Sequence, residues 1–501
     1  MSEPESTGSL VRYYCTAGNG MQRFLIAEVK KKLAAEDVCQ LAGKVLFSSS
    51  VAINRVSELK AAERLFLLLR RDSPVRLSAH AGPAGAASVL QSKVLGDVAQ
   101  WAGAAGTWSR MQGELSARRA TGHGKEEEQG GGREEESSGG TGGGEARRLK
   151  RKRDEDEEEE KQTNPERKTD DAKEDHGPRP SRTEPEPSAP APPTFRVSCK
   201  CTGSLTRYFS TQEVSRVIGG GLSRVLGWKA DLKNPQLEVN VSLSDDHFLL
   251  GFPLTRLPLA TRSYMKTMGL RSTVAWALAS LAQIQPGSRV LDPMCGVGTV
   301  LIEAAQEHEA VCFLGVDNDD GQLQRANENV ALAELPHRIQ LLKASSMMLP
   351  LPSSSVDAVV CDLPFGRKFS TKTNMAANLP LILAEMERVL RVGGTLVLLL
   401  TPQLSCLLKK LLPQKDAGPT CNQEAEPPTG KQRRPTPPAS STRQQTVPIP
   451  GGVKPPPTQE TASGLQYGPP PPRCSMEHQE TLRVSLGAID GLIHKYVKTD
   501  S

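Results

Sequence analysis

DPMCGVGT, residues 292–299, is the stretch that decides the fold of this chain of 501 residues. Val290 and Leu291 directly before it are typical of the end of a strand, and residues 298–305 are typical of a helix. Gly296 and Gly298 permit a sharp turn and a close approach between backbone and ligand, because glycine has no Cβ. The stretch therefore predicts a strand, a glycine-rich cofactor-binding loop and a helix.

Downstream of this loop, apolar strands alternate with helices, which predicts a parallel sheet covered on both faces. Two further strands near the C-terminus, joined by a tight turn, would complete a class I (seven-stranded, Rossmann-like) α/β fold. The alternative is that this hairpin is a detached tail. The predicted strands after the loop are 313–316, 339–342 (the outer edge of the sheet), 356–361, 395–400, 481–486 and 491–497, and the predicted helices are 321–332 and 379–390, with 272–281 before the loop.

Two small α+β modules precede this part of the chain. Residues 11–110 are predicted to form a ferredoxin-like module, and residues 194–260 a second module with a strand, a helix and a hairpin. The predicted elements of the first are strands 12–16 and 44–48 and helices 20–33 and 57–69; those of the second are strand 195–201, a helix capped by Ser210 or Thr211 that runs to Leu226, and strands 236–243 and 248–252.

Two segments, 111–193 and 413–475, lack the apolar residues of a packed core. Too little apolar surface can be buried there to offset the entropy lost on ordering, so both are predicted to be disordered inserts. The basic run RRLKRKR at 147–153 is interpreted as a nuclear import signal, which would place the protein in the nucleus and possibly also in the cytoplasm; a solvated mixed-charge linker is the alternative.

Composition argues against several classes of protein. The ten cysteines show no paired spacing, and the N-terminal MSEPESTGSL is not a hydrophobic leader, so a reduced intracellular setting is expected. No apolar run approaches the roughly 18 residues of a membrane span. The eight histidines form no cluster with cysteines, so no metal site is predicted in this chain.

The predicted loop favours S-adenosylmethionine over a nicotinamide cofactor. Leu301 stands where the dinucleotide-binding pattern has its third glycine. Asp292 is expected to bind the amino group of the methionine moiety, and Asp317, after the next strand, the ribose hydroxyls. Ser345 follows the third strand, so adenine recognition would depend on it and on backbone groups. The candidate cofactor-binding residues are Asp292, Pro293, Cys295, Gly296, Gly298, Thr299, Asp317 and Ser345.

A second motif, DLPF at 362–365, is predicted to be the reacting end of the site. The exocyclic amine of a purine is a poor nucleophile because its lone pair is delocalised into the ring. Asp362 and a backbone carbonyl of Leu363 or Pro364 are expected to accept its two N–H groups, and Phe365 to stack on a flipped base. The motif therefore predicts methyl transfer to an amine, with Asp362, Leu363, Pro364 and Phe365 as the catalytic residues.

These motifs resemble a known family. DPMCGVGTVLIEA followed by CDLPFG is similar to the RNA guanine-N2 methyltransferases that carry a THUMP domain, and DLKNPQLEV at 231–239 resembles a signature of that domain. The resemblance implies that residues 194–260 are a THUMP RNA-binding module, which could already begin within 11–110. It also implies that residues 261–412 are the methyltransferase domain, completed by the hairpin 476–498.

The same resemblance implies partners and a target. The implied target is guanosine N2 in a structured RNA, either U6 small nuclear RNA or tRNA, and the implied partner is a small zinc-binding activator subunit. The edge strand 339–342 is one that a partner could cover by pairing. Lys229 and Lys233, beside Trp228, form a small candidate phosphate-binding patch with Asn234, although an isolated feature of this kind is more often plain surface.

Other functions remain open from the sequence. Enzymes with a related tetrapeptide methylate adenine N6 or a glutamine amide. In those enzymes a proline usually follows the acid or amide directly, whereas this chain has Leu363 at that position. From a different class, the chain could be an RNA-binding scaffold with an inactive methyltransferase domain. The intact residues Asp292, Gly296, Gly298, Asp317 and Asp362 argue against a scaffold, whereas Ser345 leaves room for weak cofactor binding.

Overall fold

A computed structural model describes residues 9–76, 82–123, 193–364, 375–412, 475–487 and 489–500. The chain divides into two compact units. The first combines Met1–Leu67 with Thr255–Ser501, and the second is Leu68–Leu254. The run at 147–153 and most of the two predicted inserts lie outside the described residues. No helix among the described residues is both long and apolar enough to span a membrane.

The first unit begins with a small antiparallel sheet of β-α-β-β-α-β element order, as in ferredoxin-like units. Its strand order is β2-β3-β1-β4, and β1 pairs antiparallel with both β3 and β4. Strand β4 continues into the second unit. The elements are β1 (Val11–Thr16), α1 (Gln22–Leu33), β2 (Glu36–Leu41), β3 (Lys44–Ser49), α2 (Ile53–Val56) and β4 (Arg64–Asp72).

The helix predicted at 57–69 is wrong, because most of its second half belongs to strand β4. The run LFLLL at 65–69 is apolar throughout, and periodicity cannot distinguish a short apolar run in a strand from one in a helix. Leu65, Phe66 and Leu67 are at most 4% exposed, as expected for a strand that is buried on both faces. Strand β2 and the single turn α2 were not predicted either.

In the second unit, the remainder of β4 is followed in the sheet by β7, β6 and β5. Strands β5 and β6 are parallel, whereas β6 and β7 form the predicted antiparallel hairpin. Ser210 and Glu213 form a reciprocal capping box at the start of α5, which fixes the predicted helix start. The elements are α3 (Pro83–Leu95), α4 (Val98–His123), β5 (Phe195–Cys201), α5 (Thr211–Leu226), β6 (Leu237–Leu243) and β7 (Phe248–Pro253), with a 3-10 turn at Gly203–Arg207.

Residues 111–123, predicted to be disordered, form the end of helix α4. Met111 and Leu115, four residues apart on one face of the helix, are buried. The Gln112 side chain donates a hydrogen bond to the Leu254 carbonyl over 2.9 Å. The boundary of the charged insert was placed too early because this short apolar stripe precedes a long charged segment.

The rest of the first unit contains the predicted seven-stranded sheet. Its strand order is β10-β9-β8-β11-β12-β14-β13, with β8 to β12 parallel and β14 antiparallel to β12. The elements are α6 (Ser272–Leu281), β8 (Arg289–Asp292), α7 (Thr299–Glu307), β9 (Cys312–Asp317), α8 (Asp320–Leu332), β10 (Ile339–Lys343), β11 (Val356–Asp362), α9 (Met375–Val389), β12 (Leu390–Leu400), α10 (Pro402–Leu411), β13 (Met476–Ser485) and β14 (Asp490–Lys498).

Two predictions about this sheet are confirmed. The terminal hairpin belongs to the sheet, since β14 pairs with β12 from Leu400↔Leu492 to Thr395↔Val497, so the detached-tail alternative is wrong. Strand β10 lies at the edge of the sheet in the described part of the chain. Helix α10 was not predicted; Thr401 caps it, and Pro402 occupies its first turn.

Three buried glutamates hold parts of the first unit together, and Glu63 among them joins the small sheet to the α/β part. The Glu28 carboxylate accepts hydrogen bonds from the backbone amides of Lys60 and Ala61, each at 2.8 Å. The other two bind residues of the segment 255–273: Glu63 binds the Arg271 guanidinium and the Thr273 hydroxyl, and Glu303 binds Arg262 Nε at 2.9 Å and the Tyr264 hydroxyl.

Candidate functional site

The glycine-rich loop joins β8 to α7 through two residues in left-handed conformation. Gly296 has φ +52° and Gly298 has φ +82°, which residues with a Cβ rarely adopt. The Gly298 amide donates to the Cys295 carbonyl (2.8 Å), and the Cys295 amide donates to the Val316 carbonyl at the end of β9 (2.9 Å). Apart from Gly296 itself and its two neighbours in the chain, no described residue has a heavy atom within 4 Å of the place where a Cβ of Gly296 would sit. The loop is fixed to the sheet and is open beside Gly296.

Three aspartates meet at this edge of the sheet, at the carboxyl ends of neighbouring parallel strands. Asp292 ends β8, Asp317 ends β9 and Asp362 ends β11. Both carboxylate oxygens of Asp317 accept hydrogen bonds from backbone amides, one from Gly296 and one from Asp319, each at 3.0 Å. In open α/β sheets, ligands bind outside the carboxyl ends of the strands.

Asp292 is almost completely buried, with 1% of its surface exposed. Its Oδ1 accepts a hydrogen bond from the Met294 amide at 3.2 Å. Burial raises the pKa of this carboxyl well above its usual range, and the negative charges of Asp362 and Asp317 raise it further. A cationic group placed beside Asp292 would therefore be bound favourably.

Among the three aspartates, Asp362 has a carboxyl oxygen that lacks a hydrogen-bond partner in the described part of the chain. Its Oδ1 is shielded from solvent and has no hydrogen-bond partner among the described residues. Burial raises the pKa of this carboxyl to about 7. An acceptor in this state would gain free energy from any N–H donor that reaches it.

The residues after Asp362 continue the strand for a short distance. The Leu363 amide donates to the Leu399 carbonyl of β12 (3.0 Å), and the Leu363 side chain is fully buried. Pro364 is half-buried, and Phe365 lies outside the described residues. Only the first three residues of the predicted tetrapeptide are therefore placed.

The remaining candidate cofactor residues lie along the same edge of the sheet. Pro293 and Cys295 are buried, and burial raises the pKa of the Cys295 thiol. Thr299 starts α7, and its hydroxyl oxygen is shielded from solvent with no partner among the described residues. Ser345 is half-buried just after β10, where its hydroxyl accepts a hydrogen bond from the Met347 amide (3.2 Å).

The predicted RNA-binding residues lie in the second unit, on a turn before β6. Lys229, Lys233 and Asn234 are exposed. The Asp231 carboxylate accepts the backbone amides of Asn234 and Lys233, each at 2.9 Å, and these bonds lower the pKa of Asp231. Trp228 is buried against Phe195 and Trp101, so it belongs to the core and is not available to stack on a base.

One residue at the loop was not predicted. Asn329 is fully buried in α8, and its side-chain amide donates a hydrogen bond to the Val297 carbonyl at 3.1 Å. Its only signal in the sequence is a polar residue on the buried face of a helix, beside Ala326 and Val330. Among the described residues, no group of three or more His, Cys, Asp or Glu side chains is arranged to hold a metal ion.

Comparison with known proteins shows the same two modules. A THUMP domain model matches residues 182–252, and an RMKL-like methyltransferase domain model matches residues 260–415. The solved structure of TrmN from Thermus thermophilus has a similar fold, with a TM-score of 0.58 and 19% identity over 98% of this chain and all of that one.

Two curated relatives match this chain over different shares of its length. The tRNA (guanine(6)-N(2))-methyltransferase THUMP3 of Bos taurus is 33% identical over 43% of this chain and 45% of its own length. The U6 snRNA (guanine-N(2))-methyltransferase THUMPD2 of Bos taurus is 37% identical over 98% of this chain and 96% of its own. Similarity at this level along almost the whole of both chains shows that this chain belongs to the THUMP-domain guanine-N2 methyltransferase family.

Proposed function

We propose that this protein transfers a methyl group from S-adenosylmethionine to the N2 amino group of a guanosine in a structured RNA. The observation that carries the proposal is Asp362, whose shielded Oδ1 lacks a partner among the described residues at the edge of the sheet that holds the glycine-rich loop. Relatives named as guanine-N2 methyltransferases support the same reaction.

The residues of the loop suit S-adenosylmethionine. The open side of Gly296 admits a ligand against the backbone, and the shielded Thr299 hydroxyl can bond to it. Asp317 would accept hydrogen bonds from the two ribose hydroxyls, and buried Asp292 would bind the cationic amino group of the methionine moiety. Ser345 and nearby backbone groups would bind adenine. When bound, the cofactor supplies an electrophilic methyl group on a positively charged sulfur.

Asp362 would act on the guanine amine by alignment. Its carboxylate accepts one N–H, and the carbonyl of Leu363 or Pro364 accepts the other, so that the nitrogen lone pair turns toward the methyl group. The same carboxylate stabilises the positive charge that develops on the nitrogen. Phe365, outside the described residues, would stack on the base after it leaves its helix.

The RNA is proposed to be U6 small nuclear RNA. The relative that matches nearly the whole chain is named for U6, whereas the tRNA-modifying relative matches less than half. The THUMP module would hold the RNA, with exposed Lys229 and Lys233 at phosphates and Asn234 beside them. The basic run at 147–153 supports work in the nucleus, where U6 is found.

A small zinc-binding activator subunit is the proposed protein partner. Strand β10 forms an edge of the sheet in the described part of the chain, and an edge strand can pair with a strand of another protein. Large apolar side chains are exposed on it and directly after it: Leu342 (38%), Met347 (37%) and Met348 (76%). Such a surface fits a partner that covers it.

The test is incorporation of labelled methyl groups into RNA. The full chain, with the activator, is incubated with labelled cofactor and either U6 or tRNA transcripts, and the modified nucleoside is identified after digestion. We expect N2-methylguanosine in U6, and far less of it with Asp362→Asn. Label on adenosine or on protein would contradict the proposed reaction, and label on tRNA alone would contradict the proposed substrate.

A further inference from the structure

Asn329 uses its whole side-chain amide in hydrogen bonds inside the first unit. Its Nδ2 donates to the carbonyls of Val297 (3.1 Å) and Thr267 (3.2 Å). Its Oδ1 accepts the amides of Lys266 (3.1 Å) and Thr267 (3.2 Å). Two donors and two acceptor sites are all that an amide side chain offers, so every one is used. The residue is fully buried, so water cannot replace these bonds.

The bonds connect two segments that have no regular structure of their own. Val297 lies between the two left-handed glycines of the cofactor loop, Gly296 and Gly298. Residues 266–269, which we call the clamp segment, lie in the irregular stretch before α6. Neither segment is held there by a helix or sheet ladder, so the Asn329 amide joins them directly.

The clamp segment also packs closely on the start of α7. A Cβ built on Gly269 would lie 2.8 Å from the Thr299 hydroxyl oxygen, and it would also meet the Val297 side chain. Real Cβ atoms are essentially never this close to another heavy atom. A side chain at 269 would therefore have to displace Val297 and Thr299, which belong to the cofactor loop and its helix start.

We propose that Asn329 is a positioning residue that sets the shape of the cofactor loop by holding it to the clamp segment. The amide fixes the Val297 carbonyl, and with it the backbone of both flanking glycines. Asn329 touches neither the reacting amine nor the proposed acceptor Asp362. Its loss is therefore expected to weaken binding of S-adenosylmethionine and to leave RNA binding unchanged. This inference rests on the proposed function in one respect, that the cofactor binds at this loop.

Two substitutions test the amide. Asn329→Asp keeps the shape of the side chain and its acceptor oxygen but cannot donate to the Val297 and Thr267 carbonyls. Asn329→Ala removes all four bonds. The matched control is Ser405→Ala, which removes a buried hydroxyl on α10 that is hydrogen-bonded to His494 of β14. Calorimetric titration of the full chain with S-adenosylmethionine gives the affinity, and thermal unfolding without cofactor gives the stability.

Both Asn329 variants are expected to bind the cofactor about 10- to 100-fold more weakly, since a buried group left without a partner costs about that factor. In steady state, KM for the cofactor should rise while KM for RNA stays the same. Ser405→Ala should lower Tm and bind the cofactor like the wild type. The inference would be overturned if Asn329→Asp bound S-adenosylmethionine like the wild type. It would also be overturned if Ser405→Ala, with the same loss of Tm as an Asn329 variant, weakened cofactor binding to the same extent.

Gly269→Ala keeps the inference testable if the Asn329 variants do not fold. This variant retains the Asn329 hydrogen bonds, but its methyl group would clash with the side chains of Val297 and Thr299. It should therefore also weaken cofactor binding. Normal binding by Gly269→Ala would overturn the clamp. A wild-type chain that binds no S-adenosylmethionine would overturn both the clamp and the proposed function, whereas normal wild-type binding with unaffected variants would overturn the clamp alone.

Discussion

Two sets of buried acids in the first unit differ in how well they are bonded. Glu28, Glu63 and Glu303 each bind two groups or more, including cationic or hydroxyl side chains and backbone amides. At the carboxyl edge of the large sheet, buried Asp292 and half-buried Asp362, whose Oδ1 is shielded from solvent, have fewer partners among the described residues. The glutamates hold parts of the unit together, whereas the aspartates leave bonding capacity beside the cofactor loop.

This difference separates structural from functional burial of charge. A buried carboxylate that is fully bonded is neutralised, and removing it leaves its partners unpaired. A buried carboxyl that lacks partners has a raised pKa and destabilises the folded state until a ligand supplies what is missing. Substitution should therefore reduce stability at the first set and activity at the second.

Glu303→Ala should give the largest loss of stability. Arg262 and Tyr264 would lose their buried partner, at a cost of about 3–5 kcal/mol in the free energy of unfolding, measured by denaturant titration. Glu307→Ala, one turn further along α7, is the control; it removes an ion pair with Lys32 near the surface and should cost less than about 1 kcal/mol. Equal losses of unfolding free energy in the two variants would contradict a special structural role for the buried glutamate.

Asp362→Asn should give the largest loss of activity. Replacing the carboxylate removes the charge that stabilises the developing ammonium, which should reduce kcat by about 10²–10³-fold. The fold should be kept, because Asp362 Oδ1 has no partner among the described residues to lose. The control is Asp357→Asn at the opposite end of the same strand, where the carboxylate binds Arg391 instead. Similar kcat values for the two variants would refute the assigned role of Asp362.

Activity should depend on pH through the Asp362 carboxyl. Because its pKa is raised to about 7, the carboxylate required as an acceptor is lost as pH falls through that value. In the wild type, kcat/KM for RNA should therefore drop about tenfold per pH unit well below 7 and level off above it. The residual activity of Asp362→Asn should lack this step. A flat wild-type profile between pH 5.5 and 8.5 would argue against an ionised acceptor.

Stability should show the opposite sign for the same group. A carboxyl whose folded pKa lies above its unfolded value of about 4 binds more protons when folded, so it contributes less stability as pH rises from 4 through 7. Relative to Asp362→Asn, the wild type should therefore lose Tm over this interval. The comparison needs only thermal unfolding of the cofactor-free chain. A constant difference in Tm would show that Asp362 is not destabilised by burial.

The smallest effect on activity is expected at the exposed cap of helix α5 in the second unit. Glu213 and Ser210 cap helix α5 by mutual hydrogen bonds, and solvent is available to replace them. Ser210→Ala should cost about 1 kcal/mol and leave cofactor binding unchanged. A larger loss in the free energy of unfolding would mean that the number of hydrogen bonds to an acid, and not its burial, decides how much the acid stabilises this protein.

The position of the three aspartates proposed as site residues could be predicted because it follows from chain direction. Asp292, Asp317 and Asp362 each follow an apolar run, and the carboxyl ends of parallel strands share an edge. The glycines were equally predictable, since Gly296 and Gly298 both have positive φ. These features are local in sequence, and topology alone brings them together.

Other features depend on contacts between distant parts of the chain. Glu28 looks like one more charged residue in a helix that ends in three lysines, yet it is buried against the backbone at 60–61. Asn329 looks like a weak helix former. The mistaken helix at 57–69 has the same origin, since only packing on neighbouring strands decides the conformation of LFLLL. Contacts with residues that are distant in the sequence cannot be predicted from the sequence of one segment alone.

The place of β14 has a consequence for biosynthesis. Strand β12 is almost wholly apolar from Thr395 to Leu400, and on one side its pairing partner is β14, which the ribosome makes much later. Until then the nascent chain presents a long apolar strand with an unpaired edge, a surface prone to aggregation. The same hairpin touches the other end of the chain, where the Ser485 amide donates to the Asn19 carbonyl. A premature stop codon before 476 would therefore leave the sheet without two of its strands and the N-terminal module without this contact. Until translation ends, the nascent polypeptide would need chaperones to shield the unpaired strand.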